Sequence, residues 1–345
     1  MFECNVLIVG SGLSGSSAAY HLGRLGVKDV VVIERMSGEA YGRYHRTCGE
    51  AVSDRMLSLA GVPGGSEVRE VRKIRITCAD VDMDVPVKGH IIDRERLLKE
   101  LRDGSGADFV KGSIDSVKID PEGITAVCGD REYRCRYLIG ADGAFSRVRR
   151  EVFGTVPEVR FAAVNNLVDG DSETDILGFE VSTRYPGAYR WDFPSKSGLR
   201  SVGYAVGTDD VEDPVERGIR FIVSGSDRKV VQGNCCLVGD AAMLANPLCY
   251  GGIGVALISG KRAAEGIACG DLSGYSDWVR SDRMFDHHFM DALETFKGWN
   301  EEDYLDAVRP FRMGYSLSRG LYAMLRRPRW ANVYMSVWMA FRKGW

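Results

Sequence analysis

NVLIVGSGLSGSSAAYHLGRLGVKDVVVIE, running from Asn5 to Glu34, decides how the rest of the chain is read. Asn5 to Val9 is a short apolar run of strand type. It breaks at Gly10-Ser11-Gly12-Leu13-Ser14-Gly15 and resumes as an alanine-rich segment that ends at Leu25 and Gly26. A second β-branched run, Val30 to Ile33, closes on Glu34. Strand, tight turn, helix and strand make the first right-handed β-α-β unit of a nucleotide-binding sheet. Missing side chains at Gly10, Gly12 and Gly15 allow a tight turn, close approach of backbone to a pyrophosphate, and close helix packing. The helix start at Leu13 and Ser14 then faces the negative charge. Glu34 stands 24 residues after Gly10, where a carboxylate accepts hydrogen bonds from ribose hydroxyls, with Arg35 next to it. A glycine turn alone is equally well explained as structural. Helix, strands and acid together point to a dinucleotide, with FAD and NAD both fitting at this stage.

The bulk properties narrow the class. With 345 residues, 45% hydrophobic and 27% charged, the chain can bury a core in one large or two coupled domains, which excludes disorder and fibrous repeats. A formal net charge of −3 provides no broad attraction for phosphate backbones, so nucleic-acid binding is not expected. Nine cysteines lie scattered without CxxC spacing, which argues against a zinc site, and no metal is expected. The start MFECNVLIVG has an acid where a secretory signal carries positive charge, so a cytoplasmic protein is expected. Asp240, Pro247 and a glycine cluster interrupt the nearly uncharged stretch from Cys235 to Gly260, which does not read as a membrane span.

Two further segments decide between the dinucleotides. Alternation predicts antiparallel strands over 68–86, a helix over 93–101, and a meander of strands at 115–119, 124–128 and 132–139. The meander delivers the chain to Gly140-Ala141-Asp142-Gly143, an acid between glycines after an apolar strand. Farther on, a buried strand over 235–238 leads to Gly239-Asp240, Pro247, and Gly251-Gly252-Ile253-Gly254 at the start of a helix through Ala264. Asp240 can accept a ribityl hydroxyl, and the glycines let backbone amides approach a flavin ring and pyrophosphate. Three such segments in this order specify FAD.

With these motifs the chain resembles the flavoproteins that include the aromatic hydroxylases and geranylgeranyl reductases, over about residues 4 to 270. The resemblance implies an α/β (α+β) fold in which a Rossmann-type FAD-binding domain carries an inserted antiparallel β-sheet substrate domain and a C-terminal helical cap. The expected division is 1–67, 89–155 and 230–272 for FAD, 68–88 and 156–229 for the β-rich domain, and 273–345 for the cap. Asp142 and Arg149 are expected around the cofactor. Pro186 to Pro194 reads PGAYRWDFP and matches the PxxYxWxFP pattern of geranylgeranyl reductases at every specified position. Tyr189, Trp191 and Phe193 alternate along a strand, so three rings share one face and can line a long apolar tunnel, with Pro194 as a further substrate-side candidate. The closing GxG of that pattern reads Gly203-Tyr204-Ala205 here. Arg46-Thr47-Cys48-Gly49-Glu50 resembles the cysteine-glycine segment near the flavin, which makes Cys48 and Gly49 candidates alongside Tyr189 and Trp191. Cys249, inside the third FAD segment, is expected on the same side of the ring, as a redox partner of Cys48 or as independent lining.

The activity implied is FAD-dependent hydrogenation of geranylgeranyl double bonds, above all in archaeal-type ether lipids. A flavin monooxygenase and a non-catalytic isoprenoid carrier are the alternatives. The electron donor is ferredoxin, NAD(P)H or another reductant, because no second dinucleotide fingerprint is visible. Trp330 to Phe341, twelve uncharged residues flanked by Arg326, Arg327, Arg329, Arg342 and Lys343, is too short to span a bilayer. It reads either as an interfacial helix in peripheral membrane contact or as a core-packing terminal helix.

Overall fold

The computed structural model describes residues 1–121, 123–170, 175–196 and 198–345. Phe2–Val9 lies between Val30–Glu34 and Arg131–Gly140, both parallel to it. Asp108–Lys111 and Cys235–Leu237 extend this sheet on either side, again in parallel. The hairpin of Ser116–Asp120 and Gly123–Cys128 joins Arg131–Gly140 as the expected meander. Parallel strands end on one edge, so the turns after Val9, Glu34, Lys111, Gly140 and Leu237 gather at a single crevice. Helix Leu13–Arg24 packs along helix Ile253–Cys269, so closely that a Cβ on Gly260 would stand 2.2 Å from the Ser14 carbonyl oxygen. The latter helix outlasts the expected Ala264 and stops at Gly270, whose φ of +76° suits a C-terminal glycine.

A second sheet runs in the order Glu216–Ser224, Val159–Asp169, Leu199–Ala205, Arg190–Pro194, Ile176–Glu180, Glu67–Cys78, Val81–Ile92 and Ala51–Ser53. Its pairings are antiparallel except one: Ile176–Glu180 runs parallel to Glu67–Cys78. Such a joint needs a crossover connection, which the first and second halves of the chain supply. The sheet also recruits Ala51–Ser53 and residues 89–92, which the sequence division placed with the FAD domain. Ile91 and Ile92 are still buried, so the strand continues past Lys88 and pairs Ile91 with Ala51.

Alternation puts Ile74, Ile76, Val85, Leu177, Phe179, Tyr189, Trp191 and Phe193 on one face. The helical region covers part of that face: Tyr304, Val308 and Phe311 form one core with Val71, Val85 and Leu177. Helix Glu301–Val308 starts on a capping box in which Asn300 and Asp303 accept each other's backbone N–H. Helices Gly38–Arg46 and Asp54–Ala60 flank the Cys48 loop. Among the described residues no helix is long and apolar enough to cross a membrane.

Candidate active site

A cavity of about 720 Å³ lies where the crevice of the first sheet meets the apolar face of the second. At its dinucleotide end the three fingerprint glycines play different parts. Gly10 has φ +97°, and a Cβ there would stand 2.4 Å from the Ala141 carbonyl oxygen, so only glycine lets this turn pack on the Asp142 loop. A Cβ on Gly15 would meet the Gly10 oxygen at 2.0 Å. On Gly12 it would meet nothing nearer than His45 Cε1 at 3.7 Å, so this backbone stands clear on its cavity side. Helices Leu13–Arg24 and Ile253–Cys269 both begin without a side-chain cap and without an acid in the first turn. Both starts line the cavity, the first through Gly12, Leu13 and Ser14, the second through Gly251, Gly252 and Ile253. Two uncapped N-termini give a positive cradle that suits a pyrophosphate.

Glu34 closes the same end. Its Oε2 accepts from the Ser11 amide at 2.8 Å and the Ser11 hydroxyl at 3.0 Å, and its Oε1 accepts from the Met36 amide at 2.8 Å. The carboxylate is thereby locked in place while each oxygen keeps acceptor capacity for a ribose. Arg35 lines the cavity beside it. Asp240 also lines the cavity, and burial pushes its carboxyl up to about 6 against the pull of Arg94 and Arg149.

Asp142 lines the cavity too, although its carboxylate is largely spent on its own loop, accepting from Ser146 Oγ and from the Arg147 and Val148 amides. Arg149 is buried and donates to the carbonyls of Ala144 at 2.7 Å, Ala241 at 3.0 Å and Asp240 at 3.3 Å. It laces the Asp142–Gly143 loop to the Gly239–Asp240 loop. Arg94, in the first turn of helix Arg94–Asp103, was not among the residues expected from the sequence; it lines the cavity with its Nε buried and, among the described residues, unpartnered. A basic residue after the Asp93 N-cap was the available signal.

At the other end the rings of Tyr189, Trp191 and Phe193 line the cavity, and Phe179 packs edge-on to Tyr189 and Phe193 at 4.8 and 5.0 Å. The Tyr189 hydroxyl donates to the Cys249 carbonyl, and Trp191 Nε1 to Asn165 Oδ1 at 3.2 Å, so the polar ends are anchored and the ring faces stay apolar. Gly203 makes room for the indole: a Cβ there would lie 1.8 Å from Trp191 Cζ2. Gly49 sits against the same strand, its Cβ position 3.0 Å from the Phe193 ring. Cys48 and Cys249 are both free, half-buried and in the lining. His45 is buried against Tyr41 and Tyr44, and burial pushes its imidazole well below neutrality. Arg46 turns away to Glu39 and Glu216. Arg220, stacked over Tyr44 and bonded to Thr47 Oγ1, is a further cation in the lining. Gly15, Gly239, Pro247 and Pro194 are outside the lining. Gly239 serves helix packing, since a Cβ there would press on Ser14 Oγ at 2.7 Å.

The family model for an FAD binding domain matches residues 3–171. Digeranylgeranylglycerophospholipid reductase 2 of Methanopyrus kandleri is 27% identical over 87% of this chain and 87% of that protein. The enzyme of the same name from Methanothermobacter thermautotrophicus is 29% identical over 78% of this chain and 80% of its own. A geranylgeranyl bacteriochlorophyll reductase-like crystal structure from Thermoplasma acidophilum superposes with a TM-score of 0.80 at 20% identity, covering 96% of this chain and all of that one. The chain is similar to geranylgeranyl reductase flavoproteins over most of its length, and its first half matches an FAD binding domain. The cofactor is FAD, and the cavity fits it: glycine cradles, two uncapped helix starts and an Arg94 Nε with no partner among the described residues suit a dianionic pyrophosphate. An apolar aromatic wall stands at the opposite end.

Proposed function

We propose that this protein is an FAD-dependent oxidoreductase that hydrogenates carbon–carbon double bonds of geranylgeranyl chains, those of archaeal-type ether lipids above all. The observation that carries the reading is one continuous face on which Tyr189, Trp191 and Phe193 share a cavity with the dinucleotide loops. The names of the relatives point the same way. FAD, when bound, supplies hydride to one alkene carbon, and a proton adds to the other.

The chain's own residues hold and shield. Gly12, Leu13, Ser14, Gly252 and Ile253 offer backbone to the pyrophosphate, Glu34 the ribose, and Asp240 the ribityl chain. Arg94 balances the negative charge gathered there. Tyr189, Trp191 and Phe193 exclude water and align an unsaturated tail, and Cys48 and Gly49 flank the reacting bond where this wall meets the dinucleotide loops. Ferredoxin or NAD(P)H reduces the flavin by transient contact, and the C-terminal helices make peripheral contact with membrane lipid.

The reading is tested by mixing anaerobically reduced protein with a geranylgeranyl glycerophospholipid. Flavin absorbance is expected to return as the lipid gains one H2 per saturated bond. No anaerobic reoxidation but a hydroxylated product once oxygen is admitted would identify a monooxygenase instead, and tight lipid binding with the lipid unchanged under both conditions would identify a carrier.

A further inference from the structure

We infer that helix Leu317–Arg326 docks this protein on an anionic bilayer, with the cavity beneath it as the inlet for a lipid tail. The inference rests on the lipid-reductase reading above and adds the surface and route.

Exposed apolar side chains are concentrated on and just before this helix. Met313 is 82% exposed, Leu317 66%, Leu321 60% and Leu325 81%, while Ala323 on the other side of the helix is fully buried. Leu317, Leu321 and Leu325 recur at four-residue spacing and form one outward stripe. Scattered apolar residues are ordinary on a surface, but a stripe of this kind marks a contact. Its charge setting identifies the partner. Residues 309–345 carry eight Arg and Lys and no Asp or Glu, in a chain whose net charge is −3; Arg309 and Arg327 pair with Asp306 and Arg329 with Asp303, while Arg312, Arg319, Arg326, Arg342 and Lys343 have no ion pair among the described residues. Apolar side chains rimmed by arginines match acyl chains beneath anionic headgroups. A second copy fits poorly, because a two-fold contact would set like charges against each other. The uncharged stretch 330–341 is not this surface: Trp330, Val333, Ser336 and Ala340 are buried, and Ser336 Oγ donates to the His288 carbonyl.

The helix also rims a cavity of about 970 Å³ through Leu317, Gly320, Leu321 and Met324. Ile76, Val85 and Val181 on the second sheet form its floor, the continuation of the face that bears Tyr189 and Trp191. Ser53, Phe341 and Trp345 line both cavities, so they stand at the junction between the membrane side and the flavin side.

The test is co-sedimentation of FAD-loaded protein with phosphatidylglycerol or phosphatidylcholine vesicles. It compares the wild type with Met313→Asp/Leu325→Asp, two positions that line neither cavity. Binding to phosphatidylglycerol is expected to exceed that to phosphatidylcholine and to fall at least about tenfold in the double variant. FAD content and turnover of a detergent-dispersed prenyl substrate are expected to stay unchanged. Equal vesicle binding by both proteins, or no preference for the anionic lipid, would overturn the proposal. So would a dimer broken by the same substitutions without vesicle binding. Sedimentation is read without turnover, so a failure here is distinguishable from a failure of the reductase reading.

Discussion

Two residues concentrate the chemistry of the site into single substitutions. Gly203 lies on a strand paired on both sides, so its backbone cannot retreat from the indole that occupies its Cβ position. Gly203→Ala is expected to cost about 1–3 kcal/mol and swing Trp191 out of line. Thermal unfolding and tryptophan emission measure this, with turnover falling more than FAD affinity. Glu50 is buried, with Oε1 accepting the Arg94 amide at 3.1 Å and Oε2 without a partner among the described residues. Burial pushes its carboxyl up to about 8 against the pull of Lys196 and the Arg94 amide. Between the ordinary carboxylate range and that value the folded protein holds a proton that the unfolded chain has released, so stability falls as pH rises. The slope reaches at most roughly 1.4 kcal/mol per pH unit. Urea midpoints for wild type and Glu50→Gln check it, because the variant is expected to flatten the decline.

Loops carry the site, and Arg149 joins two of them. Arg149→Met removes three hydrogen bonds to carbonyls of the two loops it ties, with an expected loss of about 2–4 kcal/mol and FAD released at lower temperature, followed by flavin fluorescence on heating. Which elements were legible in advance follows from how local their causes are. The 10–15 turn, Glu34, the meander and the strand Arg190–Pro194 each announce themselves within a few residues. Helix Gly38–Arg46 does not, because glycines at 38 and 42 and three charged side chains resemble a loop. Gly42 is there because helix Arg94–Asp103 crosses close by, and a Cβ would meet Glu95 Oε1 at 2.4 Å. Arg220 owes its place to Tyr44 and Thr47, far along the chain, Arg94 reaches the cavity only through the fold, and Arg149 was expected near the cofactor but not as the tie to the distant Asp240–Ala241 carbonyls. Asp142, by contrast, was legible as part of the site but not as the residue that caps its own loop.

At the scale of the molecule, two sheets share one cavity, and ligand binding therefore tightens both. FAD at a hundredfold over its dissociation constant is expected to add about 2.7 kcal/mol. Calorimetry is expected to show one sharpened transition rather than a stabilised first sheet beside an unchanged second. The junction at Phe341 and Trp345 bears on the products. A branched polyene entering by the proposed route passes two bulky rings and is expected to be gauged by length: how far it has advanced sets which unsaturation reaches the reducing end. Partly saturated intermediates from a short incubation therefore record the stops of that ruler in order, and trimming either ring moves the marks.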